Sequence, residues 1–340
     1  MTNEIEEPID PGIRIVDAHH HLFDRPNPVV GRVMRRQRFL IDDYTELVSS
    51  GHNVVATVVV ESQTMYRGDG PEELRTVGQT EFFDGQGAMG ASGSYDKVKV
   101  AAGIVGQADL RFSNARATLE AHLEAAPHRF KGIRQEALWD EDASILVGVF
   151  DNGPGMYLDQ DFRRGFAHLA PLGLTFDAFV LAPQLPDIVD LARAFPETSI
   201  VLDHLGHPLE VGRHAARMEE ERPQWESDMR AIAACENVTV KMGGLGSFMS
   251  GSSTFLANPP ATSEQLAAEW RPYVETTVEL FGADRTMFES NLPTDGSGPF
   301  AHVCNAYQRL TAQCSQTERE AIFAGTATRV YGLEDVVLHV

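Results

Sequence analysis

Residues 13–22 read Ile-Arg-Ile-Val-Asp-Ala-His-His-His-Leu, a short β-branched run that closes on three consecutive imidazoles. In an extended backbone His19 and His21 share one face while His20 turns away, so two rings converge at the end of a strand expected over Ile13–His19. Neutral imidazole is the commonest metal ligand, and this spacing suits a divalent cation. It suits equally a polar cluster satisfied by hydrogen bonds.

Working outward from that strand, the same kind of run recurs. Asn53–Glu61, Lys97–Val105, Phe130–Gln135, Leu174–Val180, Thr198–His204, Asn237–Gly243 and Arg285–Asn291 are β-branched and bounded by turn residues, which brings the total to eight. Between them, Ser113–Ala126, Leu185–Ala194, Gln224–Ala234 and Ser263–Phe281 carry helical spacing, with Ser113 and Thr262 as caps and Pro186 in a first turn. Eight strands alternating with helices predict a closed α/β structure, a (β/α)8 barrel spanning residues 1–340 as one domain. Two connections read as long loops, 62–96 after the second strand and 244–260 after the seventh, on the face where such barrels build their sites.

The composition narrows the function. With 28 basic against 49 acidic side chains the net charge is −21, which repels phosphate backbones and anionic lipid. The densest basic run, over 32–38, is short, and no apolar stretch approaches the roughly 20 residues needed to span a bilayer. Three cysteines without CxxC spacing fit reduced thiols. The acidic, proline-bearing opening MTNEIEEPIDPG does not read as a signal peptide, so the expected setting is cytoplasmic. These features leave a small-molecule partner, which the short basic run could still attract if it is anionic, and are compatible with a homo-oligomer. A GxGxxG match at Gly85–Gly90 is followed by ASGSYDK, where a dinucleotide site would open a helix, and neither HExxH nor GxSxG occurs.

Other expected strands also end in groups that a packed core avoids: Glu61, Arg134, His204, Lys241 and Glu289. Burying them costs several kcal/mol each, in the range of about 2–7, unless they are paired or meet a ligand. Their joint appearance at strand ends points to a site.

IVDAHHHLFD, FKGIR, IVLDHLGHP, VTVKMGGLG, FESNLPTD and FAGTATRVYGL, in this order, resemble the amidohydrolase superfamily. Within it they resemble the branch that includes 2-pyrone-4,6-dicarboxylate lactonase and sugar-lactone hydrolases. The resemblance implies a distorted barrel of TIM type. His19 and His21 match the HxH pair and His204 the histidine after strand six, residues that hold a divalent cation such as zinc or manganese in some members and polarise a lactone carbonyl without metal in others. Arg134 matches a substrate-binding arginine.

One departure matters. The motif's usual aspartate is replaced here by Asn291, whose amide can orient water or substrate but cannot take a proton near neutral pH. Asp295, in the following loop, and Glu289, two residues earlier on the strand, are the candidate replacements, with Asp295 favoured and Glu289 also a candidate metal ligand. Glu61 reads as a partner that fixes a histidine tautomer or as a third base; Arg67 and Lys241 read as anion-binding groups beside Arg134. The expected activity is hydrolysis of a small cyclic ester or cyclic amide. The alternatives are metal-dependent decarboxylation of an aromatic or unsaturated acid, and an inactive binding barrel in which Asn291 marks lost catalysis.

Overall fold

The computed structural model describes residues 5–25, 36–95, 97–146 and 152–337. Strands β1 (Arg14–His20), β2 (Asn53–Val60), β3 (Lys99–Gly106), β4 (Phe130–Arg134), β5 (Thr175–Ala178), β6 (Ile200–Leu202), β7 (Val238–Lys241) and β8 (Thr286–Met287) form one sheet in chain order. Every neighbouring pair in that order is parallel. The expected eighth strand is pleated over two residues only, yet its continuation returns to β1: Ala18 N donates to Phe288 O (3.2 Å), Asn291 N to His19 O (2.9 Å) and His21 N to Leu292 O (2.8 Å). These bonds close a distorted (β/α)8 barrel.

The strands are buried on both faces, as parallel sheets covered by helices must be. Ile15, Ile104, Ile133, Phe176, Ile200 and Val240 pack outward into the core shared with the helices. Val16, Ala18, Val58, Val105, Val201 and Met287 pack instead in a second cluster with Ala324, Tyr331 and Leu333 of the C-terminal segment. A residue's side is thus set by its alternation along the strand, and register shifts in the β1–β2 pairing at Ile15/Val16 and Asp17/His20 re-aim the end of β1.

Helices α1 (Ile41–Val48), α2 (Val77–Ala91), α3 (Ala115–Ala125), α4 (Gln160–Phe166), α5 (Leu185–Ala194), α6 (Met218–Ala233), α7 (Ser263–Phe281) and α8 (Phe300–Leu310) flank the strands. Thr262 caps α7 as expected, accepting from Gln265 N (3.3 Å) while Gln265 answers on Thr262 N, and Pro186 lies in the first turn of α5. Ser113 does not cap: α3 starts at Ala115 behind Asn114. Helix α6 begins six residues before the expected Gln224, where Glu219, Glu220 and Glu221 suit the positive end of a helix.

The long-loop reading of 62–96 needs correction, because α2 occupies most of its second half. Gly85, Gly87 and Gly90 argue against a helix by propensity, but packing overrides it. A side chain at Gly87 would meet the Arg129 side chain and, at 3.1 Å, the Ala101 carbonyl, so the missing Cβ lets α2 lie close to β3. Segment 244–260 carries no helix or strand, in line with its composition. The basic run over 32–38 lies partly outside the described residues; within them Arg38 is paired with Asp42 and Asp43. Among the described residues no helix is long and apolar enough to cross a membrane.

Candidate active site

At the C-terminal ends of the strands, β1 delivers His19 and His21 to one point: their Nε2 atoms are 3.3 Å apart. His20 turns the other way, to Thr57 Oγ1 (2.8 Å) and the Tyr44 ring. Asp17, two residues before His19, fixes this end of β1 by accepting from Ser290 N (2.8 Å), Ser290 Oγ (2.5 Å) and Tyr44 OH (2.8 Å). Burial pushes its carboxyl up to about 6 against those hydrogen bonds.

His204 follows β6 in the left-handed region (φ 55°) and Glu289 follows β8. His204 Nδ1–H donates to Glu289 Oε1 (2.8 Å), which leaves its Nε2 without a hydrogen-bond partner among the described residues. The other carboxylate oxygen of Glu289 lies 3.0 Å from His19 Nδ1 without a hydrogen bond to it, so one carboxylate contacts two imidazoles. Gly243 N also donates to Glu289 Oε1 (3.0 Å). A side chain at Gly243 would collide with Glu289, and one at Gly244 (φ 77°) with His204, so the VKMGG motif of β7 makes room for this contact. His21 Nδ1–H donates to Val60 O (3.0 Å), which turns its Nε2 toward His19. Burial holds His19 and His204 neutral, each lowered to about 3, and lowers His21 well below its usual value.

Two cations complete the cluster. Lys241, wholly buried, is held by Asp177 Oδ2 (2.5 Å) and Asp203 Oδ1 (2.9 Å) and lies 3.3 Å from His19 Nδ1. Burial opposes its charge, but Asp177, Asp203 and Glu289 outweigh that and raise its pKa. Burial likewise opposes ionisation of Asp203, yet Lys241 and His19 hold its carboxyl well below the usual range. Asp177 also accepts from Tyr331 OH (2.8 Å). Arg134 donates through Nε (3.0 Å) and Nη2 (2.7 Å) to Glu61 Oε1, and its Nη1 reaches His19 Nε2 (3.3 Å) and Asp203 Oδ2 (3.4 Å). Its guanidinium lies over the Phe179 ring. Glu61 therefore orients the arginine rather than a histidine. Burial, with the charge of Glu61 adding to it, raises the Glu136 carboxyl well above the ordinary carboxylate range.

Asn291 takes φ 50°, a conformation that asparagine tolerates better than most residues, and its Nδ2 donates to Asp295 Oδ1 (2.7 Å). Gly246 N donates to Asp295 Oδ2 (3.2 Å). Burial, with the charge of Glu289 adding, pushes the Asp295 carboxyl up to about 8 against the Asn291 bond.

The structure thus gathers His19, His21, His204, Glu289, Arg134, Lys241 and Glu61 in one contact network, with Asn291 and Asp295 linked to it through the His19 carbonyl and the charge of Glu289. It does not bring in Arg67, which is partly exposed and paired with Glu81. Sequence reasoning passed over Asp203, Glu136 and His207. Asp203 carried a signal, an aspartate beside His204 at a strand end; Glu136 carried none, because it lies beyond the end of β4 and meets Glu61, which follows β2, only in the folded barrel. His19, Asp203 and His204 offer ligand atoms within 4.8 Å of one another. The donor chemistry fits a divalent cation: two imidazoles present Nε2 with Nδ1 anchored on an acceptor, and buried carboxylates outnumber buried cations.

Residues 16–333 match the amidohydrolase family model. The chain is 28% identical over 333 residues to the uncharacterized protein y4mH of Sinorhizobium fredii, covering 94% of this chain and 98% of that one. It is 27% identical over 244 residues to an L-fucono-1,5-lactonase of Burkholderia multivorans, covering 71% and 74%. In fold it is similar to the crystal structure of a Burkholderia multivorans amidohydrolase with bound zinc, with TM-score 0.71, 22% identity and coverage of 94% and 99%.

Proposed function

The chain belongs to the amidohydrolase family, and we propose that within it this protein hydrolyses a small hydroxylated or anionic lactone. The observation that carries this reading is the Glu289 carboxylate shared by His19 and His204, with Arg134 on the far nitrogen of His19. That arrangement fixes the His204 tautomer, leaves its Nε2 open, and sets a cationic donor beside His19 and His21, where an ester carbonyl gains negative charge on attack. The similarity to a lactonase supports the ester.

His19, Asp203 and His204, with His21 adjacent, would hold a divalent cation, and such a cation supplies Lewis-acid polarisation of the carbonyl. Arg134, locked by Glu61, places Nη1 toward the same oxygen without needing to reorganise. Lys241, committed to Asp177 and Asp203, acts through Asp203 and His19 rather than on the substrate. Asp295 is the base. Asn291 orients its carboxyl, and a pKa raised to about 8 makes its ionised form a stronger proton acceptor than an ordinary carboxylate. It takes the proton of water as the oxygen attacks the carbonyl carbon, and returns it to the ring oxygen as the ring C–O bond breaks, which gives a hydroxy acid. Glu289, whose oxygens face imidazoles and a backbone N–H, orients rather than deprotonates.

The deciding experiment is acid release from five- and six-membered lactones, followed by pH-stat for the wild type and Asp295→Asn. Acid production without gas, lost in the variant, supports the reading. Release of carbon dioxide from an aromatic acid with no lactone turnover would favour the decarboxylase instead. Metal content per chain, measured by elemental mass spectrometry before and after His204→Asn, tests the cation separately.

A further inference from the structure

The imidazoles do not stop at His204. Ring centroids run from His21 to His19 (4.9 Å), His19 to His204 (4.7 Å) and His204 to His207 (5.7 Å), a row of four across the strand ends. His207 is buried and sits in the left-handed region (φ 49°), in ring contact with Phe179, which also contacts His204 and Arg134. Its Nε2 is held by Ser247 Oγ (3.0 Å), from the long segment after β7. Ser247 is itself fixed: it accepts from Ser250 N (3.3 Å) and lies 3.2 Å from Ser250 Oγ, which donates to Gly244 O (3.3 Å). A side chain positioned this tightly still leaves Nδ1 buried with no hydrogen-bond partner. Such an atom costs free energy and persists where something else offsets the cost.

We propose that His207, positioned by Ser247, is a specificity-determining residue whose Nδ1 hydrogen-bonds a hydroxyl group of the substrate. The inference rests on the lactone-hydrolase reading. His19, His21 and Arg134 meet at one end of this chain of ring contacts, where the carbonyl would lie, and His207 follows His204 at the other end. A hydroxyl suits either tautomer, since it both donates and accepts. The ligand class is therefore a ring lactone bearing hydroxyls away from its carbonyl, in preference to an unsubstituted one.

The test compares kcat/KM for D-glucono-1,5-lactone and for δ-valerolactone in the wild type, His207→Phe, His207→Gln and Ser247→Ala. In His207→Phe the ratio of the two values should fall about 10-fold or more, since a site built to bond a hydroxyl discriminates strongly. His207→Gln, which keeps a hydrogen-bonding group, should recover part of the ratio, and Ser247→Ala should lower it less than His207→Phe. A purely structural role would depress both substrates together. A ratio unchanged in every folded variant, or a wild type that turns over δ-valerolactone alone, overturns the assignment and leaves the lactonase reading intact. A wild type that hydrolyses neither lactone rejects that reading; calorimetric titration with D-gluconate then decides on His207. Binding weakened by His207→Phe and partly restored in His207→Gln upholds its role, and equal or absent binding removes it.

Discussion

Two histidines of this chain each bond a glutamate through Nδ1 and end up with different capacities. His214, in the loop after β6, has Nδ1 on Glu221 (2.7 Å) and Nε2 on Asp140 (3.1 Å), with Arg213 bonded to the same aspartate. Both nitrogens are spent, and the cluster ties the loop after β4 to α6. His204 has one nitrogen on Glu289 and the other open. Burial does not separate them, since both side chains are almost wholly enclosed. What separates them is whether a carboxylate meets one face of the ring or both. At His214, where carboxylates take both nitrogens, the imidazole is a brace; at His204, where one nitrogen is left over, it can meet a ligand.

Several substitutions would break or sharpen that contrast. The largest effect is expected from Glu289→Gln, which leaves His204 without its fixed tautomer: kcat/KM for the lactone should fall by about 100-fold or more. Activity within a few-fold of wild type would mean that His204 is another brace. Next, Arg134→Lys should cost about 10- to 100-fold in kcat/KM, because an ammonium cannot bond Glu61 with two nitrogens while still reaching His19. A pH–rate profile comes third. Asp295, with its carboxyl raised to about 8, loses its proton as pH rises, so the base form grows and kcat/KM should climb toward a plateau above pH 8. The residual activity of Asp295→Asn should lack that limb, and a variant that keeps it places the ionisation elsewhere. The smallest effect belongs to the brace. His214→Gln should lower stability by about 1–3 kcal/mol in denaturant titration while leaving kcat unchanged, because it strips partners from two carboxylates far from the reacting atoms.

How much was legible beforehand follows from the range of each interaction. The start of every barrel strand lies within two residues of its expected position, because β-branched runs between turn residues act locally. Helix α2 was not legible, since four glycines speak against it and only the fit of Gly87 and Gly90 against β3 and its surroundings speaks for it. In the site, the identities His19, His21, His204, Glu289 and Arg134 were readable from polar residues at strand ends. Their roles were not. Glu61 could not be assigned to Arg134 rather than to a histidine, Lys241 could not be seen to be locked between Asp177 and Asp203, and Arg67 could not be seen to pair with Glu81.

The sequence by itself determined the alternation that closes a barrel and the residue types at the ends of its strands. Periodicity and charge at those positions are properties of neighbours along the chain. Only the tertiary structure decided which nitrogen of each imidazole stays unspent, because that depends on a carboxylate 85 residues away for His204, and on residues 7 and 74 away for His214. Hydrogen bonds over such separations are fixed by how the strands and helices pack, so the difference between a brace and a site appears only in the fold.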